Sequence, residues 1–325
     1  MLRASTGTYL VLEDSDVLEL ATMAEIVATI ERCFEAKIGG RLIAPPRHSV
    51  DFDDGALVFT IGGLMRHGRW PGIAGFRAYE TFAGTPVDRS QVVAVWNFPS
   101  GRLEGLILGE LLGALRTGAI GAVAVKYMAV PNATSCGIVG SGKQAETQLM
   151  AVAAVLPCLQ VVRVFSRNRQ NRDRFALRMS EKLRLPITPS ESTKEVVTDA
   201  DLVLCATDSD IPVLETAWLK PGAHVNSIGP KLVGQHELPI DIGERATVIA
   251  TDSPIQVHSS DKAFFLYGTP AWDRMTDLAE IVSGRISGRN SNADLTLFCS
   301  VGLAGTEVAI ASVILARARA RGSIT

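Results

Sequence analysis

The chain has 325 residues, 47% hydrophobic and 20% charged, with a formal net charge of -2. This is the composition of a globular protein with ample material for a core, and the length suggests about two domains. The charge is nearly balanced, with no basic block and no acidic tail, which excludes nucleic-acid binding by bulk electrostatics because that requires a clustered positive surface. Five cysteines, at positions 33, 136, 158, 205 and 299, include no CxxC pair. An odd, widely spaced set reads as buried reduced thiols in a cytoplasmic protein. Met1 is followed by polar residues, so no secretory leader is expected.

Leu20, Met23, Ile26, Val27, Ile30 and Phe34 recur at three-to-four spacing and predict a helix over 20–37. A loop over 41–47 follows, with Pro45 and Pro46. Four runs of β character come next, at 56–61, 73–79, 91–96 and 105–108, separated by Gly, Pro and Asp clusters as in an antiparallel meander. The N-terminal third is therefore α+β. Residues 103–130 are rich in Leu, Ala, Gly, Ile and Val, but Glu110, Arg116 and Lys126 interrupt them. A membrane span needs about 20 uncharged residues, so a buried helix at a subunit or domain interface is expected instead, with no membrane contact.

The rhythm then changes. Short apolar runs at 136–139, 161–165, 201–205, 224–228, 247–250 and 295–299 are interleaved with helical patterns, clearest at 143–156 and 168–183, and the chain closes with a helix over 303–320. Alternation of strand and helix at this pitch indicates a doubly wound parallel sheet, an α/β architecture. Gly137 to Ala145, reading GIVGSGKQA, fits strand–GxGxxA–helix. Gly140 permits the tight turn, Gly142 lets the backbone approach a diphosphate, and the small Ala145 lets helix pack on strand. The helix start offers unpaired N–H groups and a partial positive charge to phosphate. An isolated GxGxxA is a weak signal; an apolar strand before it and a helix and second strand after it supply the required context.

The end of the second strand discriminates between dinucleotides. An acid there would accept from the ribose 2′-OH of NAD. This chain has Ser166, Arg167, Asn168 and Arg169, with no carboxylate and two guanidinium groups suited to a phosphate dianion, which favours NADP(H) over NAD(H). The alternative is that Arg167 and Arg169 only solvate the next helix.

Four stretches together resemble the ornithine cyclodeaminase/mu-crystallin family: Arg116-Thr117-Gly118-Ala119 through Lys126-Tyr127-Met128-Ala129; Gly140-Ser141-Gly142-Lys143-Gln144-Ala145; Leu219 to Asn226 with Gly229; and Leu297 to Gly302. The resemblance spans nearly the whole chain. It implies a homodimer in which a Rossmann domain, 119–302, is inserted into an α+β substrate and dimerisation domain, 1–118 plus 303–325. It also implies hydride exchange at the α-carbon of an amino or imino acid, in one of several forms: cyclodeamination of ornithine or lysine, reduction of cyclic ketimines, alanine or opine-type dehydrogenation, or dehydration of a hydroxyproline.

Such chemistry needs a cation to hold the α-carboxylate. Arg116 stands in an apolar helix, where a charge is costly unless paired, and matches the family's carboxylate-binding arginine; a structural ion pair with Glu110 or another buried acid is the other reading. Arg47 matches a second family arginine, and an ordinary loop arginine is nearly as good an account of it. Where the family commonly has a lysine, the third strand carries Arg77, which stays protonated and so positions charge better than it moves protons. Where cyclodeaminases have an aspartate after the glycine, Gly229-Pro230-Lys231 places Lys231, a cation that would repel an ornithine side chain. Desolvation among arginines would lower its pKa and suit it to proton donation. Arg47, Arg77, Arg116 and Lys231 would make a cationic pocket for a cyclic imino acid or a keto or amino dicarboxylate. Tyr79 and Glu80 are runner-up acid/base candidates, with core packing and a solvated strand face the better account of them, and His224 reads as a core residue.

The resemblance also implies cofactor contacts at Thr117 and at the turn Ser300-Val301-Gly302, while Gln144, Ala206, Thr207 and Gly229 would line the crevice beyond the strand ends. The five histidines have no metal-ligand spacing. The leading expectation is an NADP(H)-dependent reductase of cyclic ketimines such as pyrroline- or piperideine-2-carboxylate. Two alternatives are a cyclodeaminase that uses bound NAD(P)+ and a non-catalytic NADPH and small-molecule binder resembling mu-crystallin.

Overall fold

The computed structural model describes residues 9–68, 71–82, 91–98 and 100–322. The chain forms two compact units, Met1–Arg116 with Leu303–Thr325, and Thr117–Gly302.

The first unit begins with β1 (Leu10–Leu12), α1 (Asp14–Leu20) and α2 (Met23–Ile38). The sequence pattern suggests one helix over 20–37, but Leu20 closes α1 and Ala21 is extended. The break has a local cause: Thr22 caps α2 by accepting from the Glu25 N–H, and the Glu25 carboxylate reaches back to the Thr22 N–H at 3.0 Å, a reciprocal arrangement that fixes the helix start. Next come β2 (Leu42–Ile43), β3 (His48–Phe52), β4 (Gly55–Leu64), β5 (Gly72–Glu80), β6 (Val92–Phe98) and β7 (Leu103–Leu108). The sheet order is β1-β7-β6-β5-β4-β2, with β3 also paired to β4; only β1 on β7 is parallel. The four expected runs are β4 to β7. β3 lies outside the expected runs, and all five of its residues are exposed.

α3 (Leu111–Met128) carries the chain across the boundary, which falls between Arg116 and Thr117. Among the described residues it is the helix long and apolar enough to cross a membrane, and 78% of it is buried in the fold. Its apolar character is that of a core helix.

The second unit contains β8 (Ser135–Val139), α4 (Lys143–Val155), β9 (Val161–Phe165), α5 (Arg169–Leu183), β10 (Ile187–Pro189), α6 (Thr193–Val197), β11 (Leu202–Cys205), β12 (His224–Ser227), the hairpin β13 (Lys231–Leu232) and β14 (Gln235–His236), α7 (Ile242–Arg245), β15 (Val248–Thr251), α8 (Pro254–His258), α9 (Pro270–Asp273), β16 (Met275–Asp277), α10 (Leu278–Val282) and β17 (Thr296–Cys299). Eight of these strands form one parallel sheet, ordered β10-β9-β8-β11-β12-β17-β15-β16. The strands read as unbroken apolar runs because both faces are covered. Ile138, Val162, Val164, Leu202 and Leu204 pack with Leu149, Phe175 and Met179 on one side; Val139, Val203, Val225 and Leu297 pack with Leu238, Ile249 and Leu266 on the other. From β8 the chain winds outward through β9 and β10, then restarts at β11 on the other side of β8. That reversal opens a crevice beyond the carboxyl ends of β8 and β11, the usual ligand position in such sheets.

The last helix, α11 (Thr306–Gly322), returns to the first unit and packs on β5, β6 and α2, burying Val308, Ile310, Ile314 and Leu315.

Candidate functional site

At the β8–β11 crevice lies a cavity of about 790 Å³ lined by Gly140, Ser141, Gly142, Lys143 and Gln144 from the first turn, Ser166, Arg167 and Asn168 beyond β9, and Ala206, Thr207 and Gly229 beyond β11 and β12. The turn after β8 can form only with glycine at its first position. Gly140 has φ +114, and a Cβ there would meet the Ala206 carbonyl oxygen at 2.2 Å. Gly142 is the N-cap of α4, and no atom lies within 4 Å of where its Cβ would stand, so the backbone on that side is open to a ligand. Ala145 is fully buried behind the turn, on the face where α4 meets the sheet. The buried Gln144 Oε1 has no hydrogen-bond partner among the described residues, so an acceptor is available in the cavity wall. A helix start without a side-chain cap, an open glycine and this acceptor fit a dinucleotide diphosphate and its polar groups.

Beyond β9 the two arginines diverge. Arg167 lines the cavity, and its Nη2 donates to Asp208 Oδ1 at 3.3 Å with both side chains largely exposed. Arg169 begins α5 and lies 3.7 Å from Asp173, one helical turn on, outside the cavity wall. Helix geometry places residues four apart on one face, which accounts for Arg169 as a solvated helix residue and leaves one guanidinium, not two, at the cavity. Asn168 is committed locally, its Oδ1 capping α5 through the Asn171 N–H at 3.0 Å. Ser166 accepts from Ser141 Oγ at 3.0 Å, tying the two rims together. Arg172, unremarked in the sequence, is buried one turn further on and donates to Glu191 at 2.5 Å and to the Ser166 carbonyl at 3.5 Å.

Thr117, Ser300, Val301 and Gly302 stand outside this wall. The Thr117 carbonyl accepts from Gln148 Nε2 at 2.9 Å. The 300–302 turn is wrapped around the buried Asp252, which accepts from the Val301 and Gly302 N–H groups at 2.8 and 2.9 Å and from Ser300 Oγ at 3.2 Å. Those two amides are therefore occupied within the protein.

Gln148 continues into a buried polar chain. Asn226 Nδ2 donates to the Gly121 carbonyl at 3.0 Å, so Asn226 Oδ1 faces His224 Nε2 at 2.8 Å and requires a proton there. On its other side, His224 Nδ1 lies 2.8 Å from Thr296 Oγ1. Burial holds the His224 imidazole down at about 3, against the hydrogen bond it makes to Asn226 Oδ1, which raises it. The ring is a neutral structural link, as its place in an apolar strand indicates.

Three of the four expected substrate cations belong to the first unit, and two of them meet at a residue the sequence reading overlooked. Glu307, in the first turn of α11 and 1% exposed, accepts from Arg116 Nη2 at 2.6 Å and Arg77 Nη1 at 3.1 Å. Burial alone would raise its carboxyl, but Arg116 and then Arg77 outweigh that and hold it below the ordinary range. Arg77 also donates to Gln91 Oε1 and stacks over Tyr79, its Cζ 4.4 Å from the ring centre. Tyr79 in turn accepts from Arg47 Nη1 at 3.3 Å. Arg116 is 6% exposed, and its Nε and Nη1 have no partner among the described residues. So the partner acid is Glu307, not Glu110, and Arg116 keeps unused donors at Nε and Nη1, each suited to a charge-assisted hydrogen bond to an anion. A lone acid in the apolar run 303–316 carried the same signal as Arg116 in its own helix, because a charge there must find a counter-charge.

Lys231 lies in the second unit, 7% exposed, and donates from Nζ to the Gly229 carbonyl at 2.6 Å. His236 closes β14 and stacks on Phe265, and the next residue, Glu237, is fully buried.

The model of the ornithine cyclodeaminase/mu-crystallin family matches residues 8–322. An alanine dehydrogenase of Archaeoglobus fulgidus is 27% identical over 94% of this chain and 94% of its own. A Delta(1)-pyrroline-2-carboxylate reductase of Bacillus cereus is 27% identical over 96% and 98%. Among solved structures, the Delta(1)-pyrroline-2-carboxylate reductase of Thermococcus litoralis, in complex with NADH and L-proline, superposes with a TM-score of 0.88 at 27% identity, covering 99% of this chain and 98% of that one.

Proposed function

The chain belongs to the ornithine cyclodeaminase/mu-crystallin family, and on that premise we propose that it is an NADP(H)-dependent reductase of imino acids, with cyclic ketimines such as pyrroline- and piperideine-2-carboxylate as its substrates. The observation that carries this reading is the Arg116 guanidinium, buried against Glu307 with Nε and Nη1 left for a second carboxylate. A fixed, dry guanidinium orients a small imino acid by its carboxylate, and orientation is worth more to a bimolecular hydride transfer than any single contact. Arg77 and Arg47, joined through Tyr79, add positive charge for the same anion.

The turn 140–145 holds the diphosphate of the dinucleotide, with Ser166 and Arg167 at the 2′-phosphate and Ala206, Thr207 and Gly229 along the crevice. The chemistry supplied by a reduced nicotinamide, when bound, is a hydride for the imine carbon. Lys231 Nζ is the proton donor to the developing amine, and its hydrogen bond to the Gly229 carbonyl fixes where it points. The favoured coenzyme is NADP(H): Arg167 stands where an acid would select NAD, and Asp208 is its present partner. The substrate unit spans 1–118 with 303–325 and the dinucleotide unit 119–302; the working form is a cytoplasmic homodimer.

The test is steady-state oxidation of NADPH and NADH with both cyclic ketimines, alongside a panel of linear imines formed from keto acids and amines. Ketimine-dependent NADPH oxidation, faster than with NADH, is expected. No turnover across the panel removes the reading, and ammonia release from ornithine without net NADPH change replaces it with cyclodeamination.

A further inference from the structure

Glu237 has 0% exposure and sits behind the wall of the cavity between β8, β11 and β12. A buried carboxylate costs several kcal/mol unless donors surround it, and here five do. Its Oε1 accepts from Ser227 Oγ at 2.8 Å, Ile228 N at 2.9 Å and Gly229 N at 2.6 Å. Its Oε2 accepts from Thr207 N at 3.0 Å and Thr207 Oγ1 at 2.8 Å. These donors come from the ends of two neighbouring strands. The last backbone bond between them runs from Ile228 N, whose hydrogen Glu237 shares, to the Cys205 carbonyl; beyond it the chains part, and the carboxylate accepts from the next amides, Thr207 N on one and Gly229 N on the other. Thr207, Ile228 and Gly229 face the cavity. Thr207 passes the constraint on, accepting from Ser209 N at 3.3 Å. The glycine at 229 follows from the same clasp, since a Cβ there would meet Thr207 O at 2.3 Å and Glu237 Oε2 at 2.4 Å.

We propose that Glu237 is the positioning residue for the dinucleotide, clasping from behind the two loops, 206–209 and 227–229, on which that ligand rests. The proposal builds on the reading of this cavity as the dinucleotide site. Glu237 touches neither ligand nor reacting atoms; it acts through Thr207 and Gly229. Its role is therefore visible in coenzyme affinity and not in the handling of the imino acid.

Glu237→Gln separates the two halves of the clasp. The amide oxygen still serves Ser227, Ile228 and Gly229, whereas the NH2 group faces the Thr207 N–H donor to donor and releases the 206–209 loop. The affinity for NADPH, titrated by fluorescence on folded protein, should fall roughly tenfold to a hundredfold, the range of a lost hydrogen bond to a charged group. The KM for the imino acid at saturating NADPH should stay within about twofold of the parent. Thr207→Val removes one of the five donors and spares the core; it should weaken NADPH binding roughly threefold to tenfold, and the double variant should bind as the Gln variant does, because both act through one contact. If Glu237→Gln fails to fold, Thr207→Val decides alone. Folded variants that bind NADPH as the parent does, or losses that multiply independently in the double variant, overturn the proposal while leaving the cavity assignment intact. A parent chain with no affinity for either dinucleotide overturns both.

Discussion

Removing the negative charge of Glu307 should cost stability and substrate grip together. In Glu307→Gln the side chain keeps its shape and one acceptor, but Arg116 and Arg77 are left buried and uncompensated. Breaking a buried pair by removing one partner costs about 3–5 kcal/mol, and the retained amide oxygen places this change near the lower end. At roughly 3 °C per kcal/mol for a domain of this size, Tm should fall by about 10 °C. The pH dependence has a definite sign. Glu307 is held below its ordinary 4.5 in the folded chain, so it contributes stability above the unfolded value and loses that contribution as pH falls through the folded one. The parent's Tm should therefore drop more steeply than the variant's once the pH is below 4.5. In kinetics, Arg116 loses its fixed orientation, and kcat/KM for the imino acid should fall about a hundredfold, with NADPH affinity unchanged. Differential scanning calorimetry across pH and steady-state kinetics give both readouts. A variant with the parent's Tm, pH slope and kcat/KM would refute the reasoning, since it would mean that the two guanidiniums need no counter-charge.

Three further outcomes follow from the geometry. Arg167→Ala should weaken NADPH binding about tenfold and leave NADH nearly unaffected, the gain being modest because the site is exposed; parallel titrations check it. Gly140→Ala forces a side chain into φ +114 and onto the Ala206 carbonyl, so it should cost at least about 2 kcal/mol by denaturant melting and abolish dinucleotide binding. His224 is neutral in the fold down to about 3 but titrates near 6.5 when unfolded; its contribution is fully present above 6.5 and falls by about 1.4 kcal/mol for each pH unit below it. His224→Gln should flatten the pH–stability curve by that slope between 6.5 and 3 in urea melts.

What the sequence disclosed depended on how far apart the interacting residues lie. The turn at 140–145 was legible because strand, glycines and helix are contiguous, and because the apolar runs on either side have the length of buried strands. Arg116 was legible as a charge that needed a partner, but Glu307 is 191 positions away by sequence number (307 less 116) and no local pattern joins them. The same holds for Glu237, which meets Thr207 across 30 positions, and for Asp252, which meets Val301 across 49. Glu237 and Asp252 look like ordinary surface or turn residues until the parallel sheet gathers the strand ends. Arg169 misled for the opposite reason: it is only two positions from Arg167 in sequence, yet the first turn of α5 swings it toward Asp173. β3 was missed because it is short, with only Val50 and Phe52 apolar, and all five of its residues are exposed.

The most direct test of hydride transfer to an imine carbon is isotopic. With NADPH deuterated at nicotinamide C4 and pyrroline-2-carboxylate as substrate, mass spectrometry of the product should find one deuterium, on the α-carbon of proline, from one face of the nicotinamide only. Proline formed without deuterium from either labelled face, or no proline at all while NADPH is bound, would contradict the account.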